Sequence, residues 1–179
     1  MKRREVLGGA ASLLAAGAVW AAVRKVAPAA LLPGETPAKR AFVERLCDIV
    51  IPDTDTPGAR RAGVPAFFAL ALAHGLEDSS PADLDQLLKD VNLGAGREAH
   101  ELDARQLHDA VAAIDAKAFE TRGSYWARLK KVLIIGYYTS EIGGSQELRY
   151  ELTPGKYEPD LPVTAETRAL SNDWVGLHF

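Results

Sequence analysis

The alternation of apolar and polar positions divides the chain into three stretches of different kind. From Val6 to Val23 apolar and small residues run on with only Ser12 between them. From about Pro37 to Ile142 apolar residues recur at helical spacing. From Gly143 to the end they persist without any period.

The middle stretch predicts five helices. Thr36 with Pro37 reads as an N-cap followed by proline at the first helical position. Phe42, Leu46, Ile49 and Val50 then recur at i, i+4, i+7 and i+8, one apolar face, until Pro52. The loop Pro52 to Gly63 is rich in Asp, Thr, Pro, Gly and Arg. Pro65 opens a second helix whose Phe67, Phe68, Leu70, Ala71 and Leu72 make it apolar nearly all round, the pattern of a central buried element. Ser80-Pro81-Ala82-Asp83 reads as a capping box ahead of Leu84, Leu87, Leu88 and Val91, with Gly94 as the stop. Asp103 and Gln106 cap a fourth helix, lined by Leu107, Val111, Ile114 and Ala118. After Gly123-Ser124 a fifth runs to about Ile142, with Tyr125, Leu129, Val132, Leu133 and Gly136 on its inner face. No stretch before Gly143 alternates with period two. The expected fold is all-α, an irregular bundle of about five helices over residues 31–142, with residues 31–37 as a linker.

The last stretch, 143–179, reads as an extended, mostly irregular tail. Gly143, Gly144, Pro154, Gly155, Pro159 and Pro162 break it, yet it keeps Leu148, Tyr150, Leu152, Tyr157, Leu161, Val163, Trp174, Val175, Leu177 and Phe179. Disordered tails are usually poor in such residues, and irregular segments of this length are uncommon in compact domains. The tail therefore wraps its own bundle, lies across another protein, or does both. Tyr and Trp are favoured interface anchors, so Tyr150, Pro154, Tyr157, Trp174 and Phe179 are the candidate partner-binding residues.

The first stretch, 1–30, reads as an address. Lys2, Arg3 and Arg4 precede the apolar run, the pattern of an export signal. The pair Arg3-Arg4, one spacer and two apolar residues suggest the twin-arginine route. The run is Ala- and Gly-rich, which suits a signal helix better than a permanent span. An uncleaved membrane anchor is the alternative. Ala27 and Ala29 offer a cleavage site, though Arg24 and Lys25 sit just ahead of it.

Charge changes the picture once that segment is set aside. The whole chain of 179 residues carries a net −3. Residues 1–29 hold five basic residues and one acidic, so 16 basic and 23 acidic remain, a net −7. An acidic body has no electrostatic footprint for phosphate backbones, which argues against nucleic-acid binding. The twin-arginine route often carries folded, cofactor-loaded cargo, yet this chain shows no cofactor motif of its own.

The chemistry-bearing residues are sparse. One cysteine, Cys47, excludes an intrachain disulfide framework, a cysteine-based zinc site and an iron–sulfur cluster. Beside an apolar helix face it reads as a structural thiol. Asp53-Thr54-Asp55 lacks the further ligands a calcium loop requires and reads as a turn in which Asp caps backbone N–H groups. Gly94-Ala95-Gly96 lacks a third glycine and follows a helix, so it reads as a loop rather than a nucleotide cradle. His74, His100, His108 and His178 form no metal-binding pair. No G-x-S-x-G elbow is present. Neither catalytic, metal nor cofactor-binding residues are expected in this chain, although an acid or His–Asp pair assembled by folding would escape such a scan.

Taken together, several segments resemble a known family. The twin-arginine start, Leu46-Cys47-Asp48-Ile49-Val50-Ile51-Pro52-Asp53-Thr54-Asp55-Thr56-Pro57-Gly58-Ala59 and Ala62-Gly63-Val64-Pro65 are similar to the small subunit, subunit 3, of membrane-associated flavin-dependent gluconate 2-dehydrogenases. So are Tyr137-Tyr138-Thr139-Ser140-Glu141-Ile142-Gly143, Leu148-Arg149-Tyr150 and Pro154-Gly155-Lys156-Tyr157. The resemblance implies a non-catalytic partner of a large FAD-containing subunit of the glucose–methanol–choline class, acting on a sugar, sugar acid or glycoside. A c-type cytochrome, with its haem, commonly accepts the electrons. The small subunit is expected to engage the twin-arginine translocase, to carry the large one into the periplasm and to assist its maturation. The alternatives are a stand-alone exported helical binding protein and an enzyme in its own right.

Overall fold

The computed structural model describes residues 36–121, 123–150, 160 and 162–171, all within one compact unit, Leu32–Phe179. Arg3, Arg4, Pro154, Tyr157, Trp174 and Phe179 lie outside the described residues, as does the whole signal segment.

Helix α1 (Pro37–Val50) starts as the sequence predicts, with proline in its first turn and the Thr36 hydroxyl accepting the Lys39 N–H at 3.2 Å. Its buried face is Phe42, Val43, Leu46 and Cys47. Ile49 and Val50, expected inside, are half-buried; the helical period keeps them on the Phe42–Leu46 side, in the last turn of the helix.

α2 (Val64–His74) begins one residue before the expected Pro65 and ends at Gly75, whose φ of 70° suits the left-handed cap. Its all-round burial is not observed: Val64, Phe68, Ala71 and Leu72 are buried, whereas Leu70 is 47% exposed and Ala66 and Ala73 are exposed too. Uniform apolarity predicts that a helix is covered on every side; here one side is left exposed among the described residues.

α3 (Pro81–Ala95) carries the predicted capping box, the Ser80 hydroxyl accepting the Asp83 N–H while the Asp83 carboxylate accepts the Ser80 N–H. It runs through Gly94 and stops at Gly96 (φ 64°), so Gly94 and Ala95 belong to its last turn rather than to a loop. Gly94 is tolerated there because its side meets open space. α4 (Ala104–Glu120) has the second capping box, Asp103 with Gln106. α5 (Tyr125–Tyr138) is capped by Ser124. It ends four residues before the expected Ile142, at a turn over 139–140, after which the chain widens into a five-residue π turn, Gly143–Glu147.

The core joins all five helices. Leu46, Phe68, Leu84, Leu87, Leu107, Leu129, Leu133 and Val132 are fully buried, and truncating such a side chain typically costs about 2–5 kcal/mol. α5 is the central element. Trp126, which the sequence pattern did not single out, is buried at its start, and its indole N–H donates to the Asp115 carboxylate at 2.6 Å. Where α5 crosses α2, Gly136 faces the Phe67 ring, which a Cβ there would approach to 2.5 Å; only glycine admits that crossing.

The expected irregular tail contains one regular feature among the described residues. β1 (Arg149–Tyr150) and β2 (Leu170–Ser171) pair in parallel, Arg149 opposite Leu170, with the Arg149 N–H donating to the Ala169 carbonyl at 2.9 Å. Two residues per strand give the sequence no alternation to show.

Candidate functional site

Three surfaces are candidates, each built from residues that the fold brings together. The first is the loop between α1 and α2, stretching from Ile51 to Gly63. It folds on itself: the Asp53 carboxylate accepts the Gly58 N–H at 2.6 Å, and the Ala59 N–H donates to the Ile51 carbonyl at 2.9 Å. The aspartate thus caps backbone, as expected, and among the described residues no group of three or more His, Cys, Asp or Glu is placed to hold a metal. Thr56 and Ala59 are buried, and Tyr137 of α5 donates its hydroxyl to the Pro57 carbonyl at 3.0 Å.

This loop is fastened to residues 146–168 by side-chain hydrogen bonds and an ion pair. Thr56 donates to Glu147 in the π turn at 2.5 Å. Arg168, ahead of β2, forks its guanidinium between the Gln146 carbonyl at 2.6 Å and the Asp55 carboxylate at 3.1 Å. The Asp55 carboxyl is held below the usual carboxylate range, first by the Thr54 hydroxyl and also by Arg168. Arg168 spans 113 residues to reach Asp55, a pairing that no local sequence pattern announces. Tyr150, the one predicted partner-binding residue within the described part, sits on β1 beside this clasp with half its surface exposed.

The second surface is an open groove of about 840 Å³ between the end of α3, the outer side of α4 and the start of α5. Ile114 and Ala118, expected on α4's inner face, line it instead and are half-buried. Two of its donors, the Tyr125 hydroxyl and the Trp126 indole, are already engaged. The Tyr125 hydroxyl donates to Asp90; burial, and then this carboxylate, push the phenol pKa up. Below it Asp115 accepts from both Lys130, at 2.8 Å, and Trp126, and its carboxyl is held below the ordinary value by Lys130 first and Trp126 second.

The third surface is the exposed side of α2. The sequence Ala62–Leu76 contains no Asp, Glu, Lys or Arg, a signal that could have marked a face meant for cover even before the fold was known.

The remaining charged and nucleophilic groups serve the framework. Asp83, buried, accepts from Arg128 at 2.5 Å and so ties α3 to α5. Arg45 of α1 donates to the carbonyls of Ala99, Leu102 and Asp103, pinning the α3–α4 loop. The Cys47 thiol is fully buried and its pKa is pushed up to about 12, by burial first and then by Asp48 and Glu44. A thiol so placed is an inert core group rather than a nucleophile. No helix among the described residues is long and apolar enough to cross a membrane.

No curated protein and no solved structure matches this chain. The family model described as gluconate 2-dehydrogenase subunit 3 matches residues 37–155, from the first residue of α1 through the bundle, the π turn and β1. Membership of this family makes the chain a subunit of a gluconate 2-dehydrogenase type of complex, in accord with the resemblance carried by the 46–59 and 137–157 segments. This chain belongs to the gluconate 2-dehydrogenase subunit 3 family.

Proposed function

We propose that this chain is the non-catalytic accessory subunit of an exported FAD-dependent dehydrogenase acting on a sugar, sugar acid or glycoside. It supplies the twin-arginine signal through Arg3 and Arg4, holds the large flavoprotein during its passage to the periplasm, and stabilises it there; a c-type cytochrome accepts the electrons. The observation that carries this reading is the family match across the whole helical body. The deployment of the ionisable groups supports it. Asp53, Asp83, Asp90 and Asp115 are each spent on a cap, an ion pair or a buried donor, and Cys47 is sealed in the core. In this reading Tyr150, Pro154, Tyr157, Trp174 and Phe179 add aromatic and apolar anchors for the partner.

Replacing Arg3-Arg4 by Lys-Lys and following the flavoprotein in periplasmic and cytoplasmic fractions tests the export role. The flavoprotein is expected to stay in the cytoplasm. Unchanged periplasmic flavoprotein in that strain would refute the escort function.

The groove at the end of α3 favours a second reading, a stand-alone exported binding protein, since a volume of about 840 Å³ lies within the range of small-molecule pockets. Sedimentation separates the two. A chain that runs as a monomer in the presence of the flavoprotein supports this second reading; co-sedimentation supports the first.

A further inference from the structure

We propose that residues 162–171 form a detachable strap, closed over the α1–α2 loop by the pair Arg168–Asp55 and released by salt while the helical bundle stays folded. The device is a property of this chain alone and needs no partner. Every residue from Pro162 to Leu170 is exposed, Val163 by 84% and Leu170 by 52%. A segment that buries no side chain draws little hydrophobic stabilisation, yet fixing its backbone still costs conformational entropy. Polar bonds must therefore hold it down.

Those bonds converge on one side chain. Among the described residues, Arg168 makes every side-chain bond between this segment and the rest of the chain. Its guanidinium donates to the Gln146 carbonyl at 2.6 Å, the Glu147 carbonyl at 3.3 Å and the Asp55 carboxylate at 3.1 Å. The Glu147 carboxylate stands 4.0 Å away. The backbone adds the two-residue ladder, with the Arg149 N–H on the Ala169 carbonyl at 2.9 Å. The other side-chain bonds of the segment stay inside it, among Thr164, Glu166 and Thr167.

Beneath the strap the loop is joined to the bundle without it. Thr56, buried, donates its hydroxyl to Glu147 at 2.5 Å, and the Tyr137 hydroxyl donates to the Pro57 carbonyl at 3.0 Å. The π turn is anchored in turn by the Gly144 N–H on the Ser140 carbonyl at 2.9 Å. None of these bonds involves the strap, so the loop keeps its place when the strap lifts. The Arg168–Asp55 pair, by contrast, has 40% and 77% of its two side chains exposed. Salt screens such a pair, the Debye length shrinking from about 10 Å at 0.1 M to about 3 Å at 1 M. Release frees the Asp55 carboxylate and the Gln146 carbonyl and takes the acceptor from the Arg149 N–H. The outer face of the loop and one edge of β1 then open together.

The test measures protection factors from amide hydrogen exchange, by NMR, in the full-length chain. The Arg149 amide reports the strap, and the Leu133 amide, in the buried middle of α5, reports the bundle. Arg149 is expected to be protected, but at least about tenfold less than Leu133, because local opening needs less free energy than global unfolding. Raising NaCl from about 0.1 M to about 1 M is expected to lower the protection of Arg149 by about two- to fivefold, the scale of an exposed ion pair. Leu133 is expected to keep its low-salt value. Asp55→Asn, which removes the charge and keeps the shape, is expected to lower Arg149 protection in low salt by the same factor and to abolish the salt response. Arg168→Ala lowers it further, and adding Asp55→Asn to Arg168→Ala is expected to change nothing more. The strap is overturned if Arg149 is unprotected or as protected as Leu133, if salt leaves it unchanged, or if Leu133 loses protection in step with it. A salt response that persists in Asp55→Asn, or an Asp55→Asn effect that persists without Arg168, overturns the pair as its latch.

Discussion

Replacing Gly58 by alanine is expected to be the most damaging single-methyl change in the α1–α2 loop. A Cβ at this buried position would stand 2.5 Å from the Ile51 carbonyl oxygen, 2.5 Å from the Pro52 carbonyl carbon and 2.7 Å from the Asp53 nitrogen. All three are backbone atoms and none can swing aside as a side chain would. Relief requires the loop to open, which disturbs the bond from the Gly58 N–H to Asp53 at 2.6 Å and the one from the Ala59 N–H to Ile51 at 2.9 Å. Overpacking of this kind costs about 1–3 kcal/mol, and each disturbed hydrogen bond adds about 1 kcal/mol. The sum is about 3–5 kcal/mol. At about 2–4 °C per kcal/mol for a chain of this size, the thermal midpoint followed by circular dichroism falls by about 6–20 °C. Gly94→Ala is the matched control, since its Cβ meets nothing within 4 Å and alanine is the better helix former by up to about 1 kcal/mol; it is expected to raise the midpoint slightly. A Gly58→Ala protein melting within 2 °C of wild type (about 1 kcal/mol or less) would refute the reasoning that this loop is built around the missing side chain.

Three further outcomes follow from the charged and nucleophilic groups. Because the folded protein holds the Asp115 carboxyl below its ordinary 3.8, this group's contribution to stability is present above that value and lost as pH falls through the lower folded one; Asp115→Asn should flatten the acid limb of a stability-versus-pH curve, and an unchanged limb contradicts the assignment. Cys47 should resist alkylation at pH 8 in the native chain and react promptly once unfolded in guanidinium, mass spectrometry reporting both; a fast native reaction would show the helix α1 core to be open. Arg168→Ala should accelerate hydrogen exchange at the Arg149 amide, whose acceptor is Ala169, while moving the thermal midpoint little, since exposed ion pairs are worth only about 0–1 kcal/mol; an unaltered exchange rate would mean the clasp does not depend on this arginine.

What the sequence disclosed and what it hid divide along the range of the interactions. The caps at Thr36, Ser80 and Asp103 were legible because each is a bond between residues three apart. The faces of α3, α4 and α5 were legible because periodicity marks a surface that must be buried. Gly94 misled because a glycine signals a helix stop only when the chain needs a left-handed residue there, and that residue is Gly96. Ile114 and Ala118 show the limit of the periodic argument: their apolarity predicts contact, but not that they line an open groove instead of the closed core. The Arg168–Asp55 and Thr56–Glu147 bonds were invisible because they join positions about a hundred residues apart, and the two-residue ladder because it is too short to carry a pattern. Leu70 is the instructive case. Its environment was read as core from composition alone, but the apolarity of a helix does not say which of its sides the bundle packs against, and Leu70 is left 47% exposed.

The account depends most on the chain being a subunit that supports a flavoprotein without performing the oxidation itself. The direct measurement is dye-linked oxidation of gluconate and related sugar acids by the purified full-length chain, by the flavoprotein, and by the two together. The account predicts no turnover from the chain alone and full turnover from the pair, proportional to flavin. Substrate-dependent dye reduction by the isolated, flavin-free chain would contradict it.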